Sequence, residues 1–484
     1  MASLPVRRVA VIGAGISGVN TAAHLIAEGL DVTVFERSSA VGGVWVLNPT
    51  RPLEPTYPSS KASVADVTFH NVPDNVDPYL LHSQPGPCYD GLKNNVPIEL
   101  LEVSLNKWKP NTQSFSTHDV LSDYIQDTAA KTGVTERTMF DTKVVSIKKD
   151  RDVWQVTTST WDHTTKNATT RDWTFDAVAV ASGHYHAPQI PAIKGLAEWK
   201  TAFPSRVLHS KSFRNAKGFE KKAAQTVLVI GGSASSTDIA VELSPVAKKV
   251  WQSTRDGPFD HPAAMLPAKA KRVAEIRSFG RLTDGPAPAS EPIPATVTLV
   301  DGRTIDDIDA VFVATGYQFS LPFLPQLHRD DVAPQQADDT VLVTDGQQLH
   351  NLHKDIFYIP DPTLAFVGVP FYTATFSLFE FQAITVAAVF AGKTALPPVQ
   401  QQRAEYEKRV RDKGYGKLFH NLRSQDVEYS RELMAWVNEG RTPAEQKPDG
   451  YSPKWITTKE KMLKVPNKKN ILYAETQKNG LVVQ

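Results

Sequence analysis

The chain has 484 residues, 53 Lys plus Arg against 52 Asp plus Glu, and a single cysteine, Cys88. That length makes two or three domains around a large core. The near-balance of charge excludes the broad positive field of a nucleic-acid or anionic-membrane binder, and one cysteine excludes an intramolecular disulfide, a CxxC redox pair and a cysteine-based zinc site.

Any redox chemistry must therefore come from a bound group. The first strand pattern begins almost at once, so no targeting segment is expected, and a reducing, cytoplasmic setting is. From Val9 to Ile12 the chain reads as a buried parallel strand. It runs into Gly13-Ala-Gly15-Ile-Ser17-Gly18, then a helix with Val19, Ala22, Ala23 and Ile26 on its apolar side, then Val32–Phe35 closed by Glu36. Gly13 suits the tight turn, Gly15 lets backbone approach a pyrophosphate, and Gly18 allows close helix–strand contact. The helix start offers free N–H groups to phosphate, and Glu36 stands where a carboxylate accepts from a ribose. Together they predict a dinucleotide site.

Arg37 leads to Gly42-Gly43-Val44-Trp45, where paired glycines admit a flat ligand and Trp45 gives an aromatic wall. Residues 48–88, rich in Pro, Ser and Asn, read as loops over a core. Tyr89–Glu99 reads as a turn into a helix, and His118–Ala130 as a helix. Strands are expected at Thr142–Lys148, Val153–Thr158 and Trp173–Phe175, then a buried strand at Ala177–Ala181 ending in Ser182-Gly183. The prolines that follow suit a crossing between domains. His184-x-His186 reads as a pair of solvated loop histidines, and no metal is expected.

A second unit begins at Thr226–Ile230. Gly231, Ser233 and Ser236 fall on Gly13, Gly15 and Gly18 at one constant offset, and the same offset carries Glu36 onto Thr254. Arg255 follows. An acid there would repel a 2′-phosphate, whereas Arg pairs with it, so NADPH is expected over NADH. Further strands are expected at Thr296–Val300, Ala310–Val313 and Leu364–Gly368, and helices at Phe376–Phe390 and Gln400–Lys413. Ala314-Thr315-Gly316-Tyr317 reads as the return from the second domain. Glu380 and Gln382 at the centre of the apolar run Val369–Gly392 argue for a buried helix, since a central carboxylate costs about 2.5–3.5 kcal/mol on insertion. No membrane span is expected. The last sixty or so residues give little pattern, and from Lys468 the chain reads as a polar tail.

Between the units, Phe203-Pro-Ser205-Arg-Val-Leu-His209-Ser210-Lys-Ser-Phe213 resembles the Phe-x-Gly-x-x-x-His-x-x-x-(Tyr/Phe) motif of flavin-containing monooxygenases, with Ser205 in place of Gly. Asn94-Asn95-Val-Pro97 is similar to that family's Thr-Asn-x-Pro segment. Ala314–Tyr317 with Pro322-Phe323-Leu324 resembles its Ala-Thr-Gly-Tyr…Pro-Phe-Leu stretch, and Glu380-Phe-Gln382-Ala its Glu-x-Gln-Ala.

The resemblance implies an α/β fold of two Rossmann-like, three-layer dinucleotide domains, the NADPH domain inserted into the FAD domain. The expected limits are 1–200 and 309–484 for the FAD domain with C-terminal helices and tail, and 201–308 for the NADPH domain. It places cofactor contacts at Gly13, Gly15, Ser17, Gly18, Glu36, Arg37, Gly43, Val44, Trp45, Asn95, Val144, Ser210, Gly231, Ser233, Ser235, Ser236, Thr254, Arg255, Thr315, Gly316 and Gln382, with Asn95 catalytic. It implies NADPH- and O2-dependent oxygenation of a small molecule's sulfur or nitrogen through a C4a-hydroperoxyflavin, with room for a homodimer. The substrate pocket is expected in loops of 48–88, 256–295, 318–325 and 370–380.

Alternatives stay open. A Baeyer–Villiger monooxygenase favours Trp-Pro where Phe213-Arg214 stands. An NADPH oxidase and a non-catalytic NADP-binding sensor complete the set. A disulfide reductase needs a second cysteine, and an amine oxidase lacks the second unit.

Overall fold

In a computed structural model that describes residues 6–220, 225–282, 288, 291–439 and 441–464, the strand Arg8–Ile12 is buried at every position but its first. A strand covered on both faces must be apolar throughout, and alternate residues go to opposite sides. Val9 and Val11 join a core with the helices Ile16–Ala27 and Thr375–Phe390, while Ala10 and Ile12 join one with Val144, Ile147, Trp154 and Phe175. The layers are helix, parallel sheet and antiparallel sheet.

The central sheet runs Leu352–His353, Phe357–Tyr358, Leu364–Phe366, Ala177–Val180, Arg8–Ile12, Asp31–Phe35, Thr138–Met139. It is parallel except at its first two strands. The antiparallel layer is Thr142–Asp150, Val153–Asp162 and Asn167–Phe175, longer strands than the residue pattern suggests. The outer half of the last strand is exposed, so no apolar alternation marks it.

A second sheet repeats the plan, all parallel: Ala270–Val273, Lys249–Ser253, Thr226–Ile230, Ala310–Val313, Val207–His209. The helix Ala234–Leu243 covers one side, and the antiparallel Ile276–Phe279, Val297–Leu299 and Thr304–Ile305 cover the other. Two expected limits shift here. Ala310–Val313 pairs inside the second sheet, one strand past the 308/309 limit. The helix Leu196–Ala202 also packs there, with Trp199 edge-on to Phe279 at 4.9 Å between ring centres. Both segments are apolar runs that either domain could bury. The crossings themselves pair: Ala187–Pro188 lies antiparallel to Tyr317–Gln318, and Gln189 N–H donates to Gly316 O at 2.8 Å.

Glu380 does sit in a buried helix. Its carboxylate accepts from Ser104 N–H at 2.8 and 3.0 Å and lies 3.3 Å from His24 Nε2, so burial does not leave it alone. No described helix is long and apolar enough to cross a membrane. Past residue 415 the described residues form two helices that the residue pattern does not announce. Asp426–Asn438 buries Leu433, Met434 and Val437, and Pro453–Lys464 is pinned by Trp455 Nε1–H to Leu100 O at 3.0 Å. The polar tail from Lys468 lies outside the described residues.

Candidate active site

Both glycine turns open into one cavity of about 2430 Å³. Small-ligand pockets run to about 1,000 Å³, so this volume takes more than one large ligand. Gly13, Gly15 and Ser17 of the first turn line it, and so do Gly231, Ser233 and Ser235 of the second.

Gly13 has φ +102°, and a Cβ there would meet Ala181 O at 2.8 Å. A Cβ at Gly18 would stand 1.8 Å from Gly13 O, so Gly18 does set the helix against the turn. Gly43 abuts Gly15, where a Cβ would come to 2.9 Å of Gly15 Cα. The two glycine loops thus form one bare backbone cradle. The helix Ile16–Ala27 has no side-chain cap and no acid in its first turn, which leaves its amides and dipole for an anion. The same holds for Ala234–Leu243 behind Ser233.

Glu36 is buried and accepts from Ala14 N–H at 2.7 Å, Ser38 N–H at 2.9 Å and Ser38 Oγ–H at 2.8 Å. A carboxylate has about four acceptor positions, so roughly one remains for a ribose hydroxyl. The carboxylate also braces the turn that would hold the pyrophosphate.

Asn94 and Asn95 divide the work between them. Asn94 is buried, donates to Val96 O at 2.6 Å and Ser114 O at 2.8 Å, and accepts from Ser116 N–H at 2.6 Å. Asn95 is exposed to the cavity and makes no side-chain hydrogen bond among the described residues. A locked neighbour presents a free amide.

Val44, Trp45, Val144, Thr254, Arg255, Thr315 and Gly316 also line the cavity, whereas Gly18, Ser210, Ser236 and Gln382 do not. Ser236 lies in the helix–sheet contact, donating to Ser233 O at 2.8 Å and accepting from Gln252 at 3.0 Å. Gln382 stands one layer back, accepting from Gly368 N–H at 3.0 Å and donating to Tyr429 at 2.8 Å, while Gly368 itself faces the cavity. Ser210 is buried off the cavity wall, with its hydroxyl beside Tyr317. The loop segments expected to form a pocket contribute Asp66, Val67, Leu81, Phe259, Phe319, Phe371 and Tyr372, whereas 283–287 and 289–290 lie outside the described residues.

The cradle fits two dinucleotides. Bare glycine backbone and uncapped helix starts suit pyrophosphate. His184 Nδ1 and Gln189 Oε1, in residues on the cavity wall, are buried without hydrogen-bond partners among the described residues, as atoms awaiting a ligand are.

A model of the flavin-binding monooxygenase-like family matches residues 6–63, 89–260 and 291–444. The chain belongs to this family. A flavin-containing monooxygenase of Aspergillus flavus, ustF2, is 43% identical over 95% of this chain and 98% of its own. The thiol-specific monooxygenase of Saccharomyces cerevisiae is 28% identical over 97% of this chain and 94% of its own. Among solved structures, S-allyl-L-cysteine S-oxygenase from Allium sativum superposes with a TM-score of 0.69 at 24% identity, covering 96% of this chain and all of the other, a likeness of fold.

This flavin-dependent monooxygenase is thus an enzyme that uses FAD and NADPH. Its wall holds a charged cluster built around Arg37. Arg37 donates to Asp66 Oδ2 at 3.0 Å and to His186 Nδ1 at 2.6 Å, and buried Lys211 donates to the His186 carbonyl at 2.8 Å. With Nδ1 accepting, the ring proton sits on Nε2 and goes to Ser182 O at 2.6 Å. Burial and then Arg37 push His186 down to about 3, and burial takes Lys211 down to about 8. Burial would raise Asp66, but the Arg37 guanidinium and the Lys211 ammonium hold its carboxyl below the usual range. His184, 5.1 Å from Phe319 between ring centres, is pushed down to about 4 by burial first and His420 second. The two histidines are therefore neutral, half-buried groups of the cavity wall. Only the spacing His184-x-His186 hints at them.

Proposed function

We propose that this monooxygenase oxygenates a soft nucleophile, the sulfur or nitrogen atom of a small molecule, at the expense of NADPH and O2. FAD is assigned to the Gly13–Glu36 turn and NADPH to the Gly231–Arg255 turn. The observation that carries the reading is the single cavity shared by both turns and the free amide of Asn95. Bound flavin supplies the passage of electrons from NADPH to O2 and the oxygen that reaches the substrate.

The residues do the rest. Asn95 offers an N–H to the reacting oxygen and holds no readily lost proton. Phe259 stacks on Tyr372 at 5.4 Å and 12°, joining the two units in an apolar part of the wall that keeps water away. No strong base faces the cavity from the histidines, since His184 and His186 are neutral above about 4 and about 3. A substrate that needs no deprotonation suits such a wall. The thiol-specific name of the yeast relative supports sulfur as one target.

The test is a panel of thiols, sulfides, amines and ketones, scored by NADPH-dependent O2 uptake and by product mass. Oxygen addition to sulfur or nitrogen compounds is expected, and turnover of ketones alone would replace the reading with a Baeyer–Villiger one. In Asn95→Ser, NADPH oxidation is expected to continue while H2O2 released per NADPH rises about fivefold or more, one lost donor being worth about 1 kcal/mol or more. An unchanged yield of product per NADPH would remove Asn95 from this role.

A further inference from the structure

Lys417 enters the cavity from the first unit, yet stands at the nucleotide turn of the second. Its Nζ is 3.5 Å from Thr315 O, and a Cβ at Gly316 would lie 3.6 Å from it. Ala314, next in line, closes on the glycine turn, where a Cβ at Gly231 would meet Ala314 O at 2.3 Å. The ammonium therefore hangs over the C-terminal edge of the second parallel sheet, where such sheets bind their ligands.

Neither Lys417 nor Arg255 forms an ion pair among the described residues, and both face the cavity. Burial and then Arg255 push Lys417 below the usual lysine range, with no carboxylate among the causes. Lys417 is half-buried beside the exposed Arg255, and two neighbouring like charges without a counter-ion are unfavourable unless an anion comes between them. The Asp260 carboxylate stands over Gly232, where a Cβ would meet Oδ1 at 2.3 Å, so an anion docking there needs that positive compensation.

The loop that carries Lys417 is held from below. His420 is fully buried, lies 2.8 Å from Asp355 Oδ1 through Nδ1, and accepts from Leu349 N–H at 2.9 Å through Nε2. Arg409 meets Asp355 at 2.7 Å and the Phe419 carbonyl at 2.9 Å, and Gln348 accepts from Gly416 N–H at 2.5 Å. Nothing in the proposed chemistry uses this buried network. Its effect is to fix the segment 414–421, which costs the lysine less entropy when it meets a ligand.

We infer that Lys417 is a cofactor-binding residue, supplied by the first unit to the pyrophosphate of the nicotinamide nucleotide seated on Gly231–Ser233. Lys acts there as a point charge and Arg255 as the planar partner for the 2′-phosphate. The inference rests on NADPH occupying the second turn.

The test is calorimetric titration of the FAD-loaded protein with NADP+ and with NAD+, for the parent, Lys417→Met and Lys417→Gln. A charge-assisted bond of about 1.5–3 kcal/mol predicts about tenfold or greater weakening of both nucleotides by the same factor in either variant. Lys417→Arg is expected to recover most of the loss, and FAD content and Tm to stay at parent values. Unchanged affinities in the variants would overturn the role of Lys417. Weakening of NADP+ alone would overturn the pyrophosphate assignment in favour of the 2′-phosphate. A parent protein that binds neither nucleotide would instead overturn the NADPH reading itself.

Discussion

Gly18→Ala is expected to yield protein without FAD. The added Cβ would stand 1.8 Å from Gly13 O and 2.8 Å from Gly13 C. Both are backbone atoms, so no side chain can swing aside. The helix would have to lift from the strand, moving its uncapped amides off the phosphate position and opening the cradle with Gly43. Overpacking a core typically costs about 1–3 kcal/mol, and a backbone collision this close stands at or above the upper end. The absorbance ratio of flavin to protein and the Tm both report it. The second unit supplies an internal contrast. Ser236 already carries a Cβ at the matching place, so Ser236→Ala removes only the hydroxyl's bonds to Ser233 O and Gln252, about 1 kcal/mol. Full FAD occupancy in Gly18→Ala would contradict the geometry of the first turn.

Arg255→Ala is expected to remove the preference for NADPH over NADH. Thr254 is buried and shares its hydroxyl with Asp256 at 3.3 Å, which leaves Arg255 as the exposed group following that strand. A guanidinium–phosphate contact worth about 1.5–3 kcal/mol predicts a fall of about 10- to 100-fold in kcat/KM for NADPH. The value for NADH should stay near the parent's, since NADH has no phosphate to lose. An unchanged ratio of the two would take the 2′-phosphate away from Arg255.

The parts of this molecule that follow short-range rules are legible in the order of its residues. Gly13, Gly15, Gly18 and Glu36 lie within one strand–turn–helix–strand unit, and the second unit repeats it with Thr254 and Arg255 in place of the acid. The family is legible from motifs of the same local kind. What stays hidden in the sequence depends on partners far apart in the chain. Arg37 meets His186 across 149 residues, and no pattern near either one announces it. Ala310–Val313 is an apolar run whose sheet is decided by Thr226–Ile230 and Val207–His209, not by its own residues. Gln382 and Ser236 sit in helices at motif positions, yet rotation about the helix axis takes both off the cavity wall. Trp455 owes its place to an indole N–H that reaches the carbonyl of Leu100, a partner 355 residues away. Lys417, in a polar stretch with many other lysines and arginines, is singled out only by where its loop is anchored.

If one cavity joins NADPH oxidation to delivery of an oxygen atom, the oxygen in the product must come from O2. Turnover of the FAD-loaded protein under isotopically labelled O2, with NADPH and a thiol, sulfide or amine that stimulates O2 uptake, follows that atom. One labelled oxygen atom is expected in the product for each NADPH consumed, with little H2O2. Oxidation of NADPH that returns all the labelled oxygen as H2O2, with no substrate in the panel acquiring label, would contradict it and leave an NADPH oxidase.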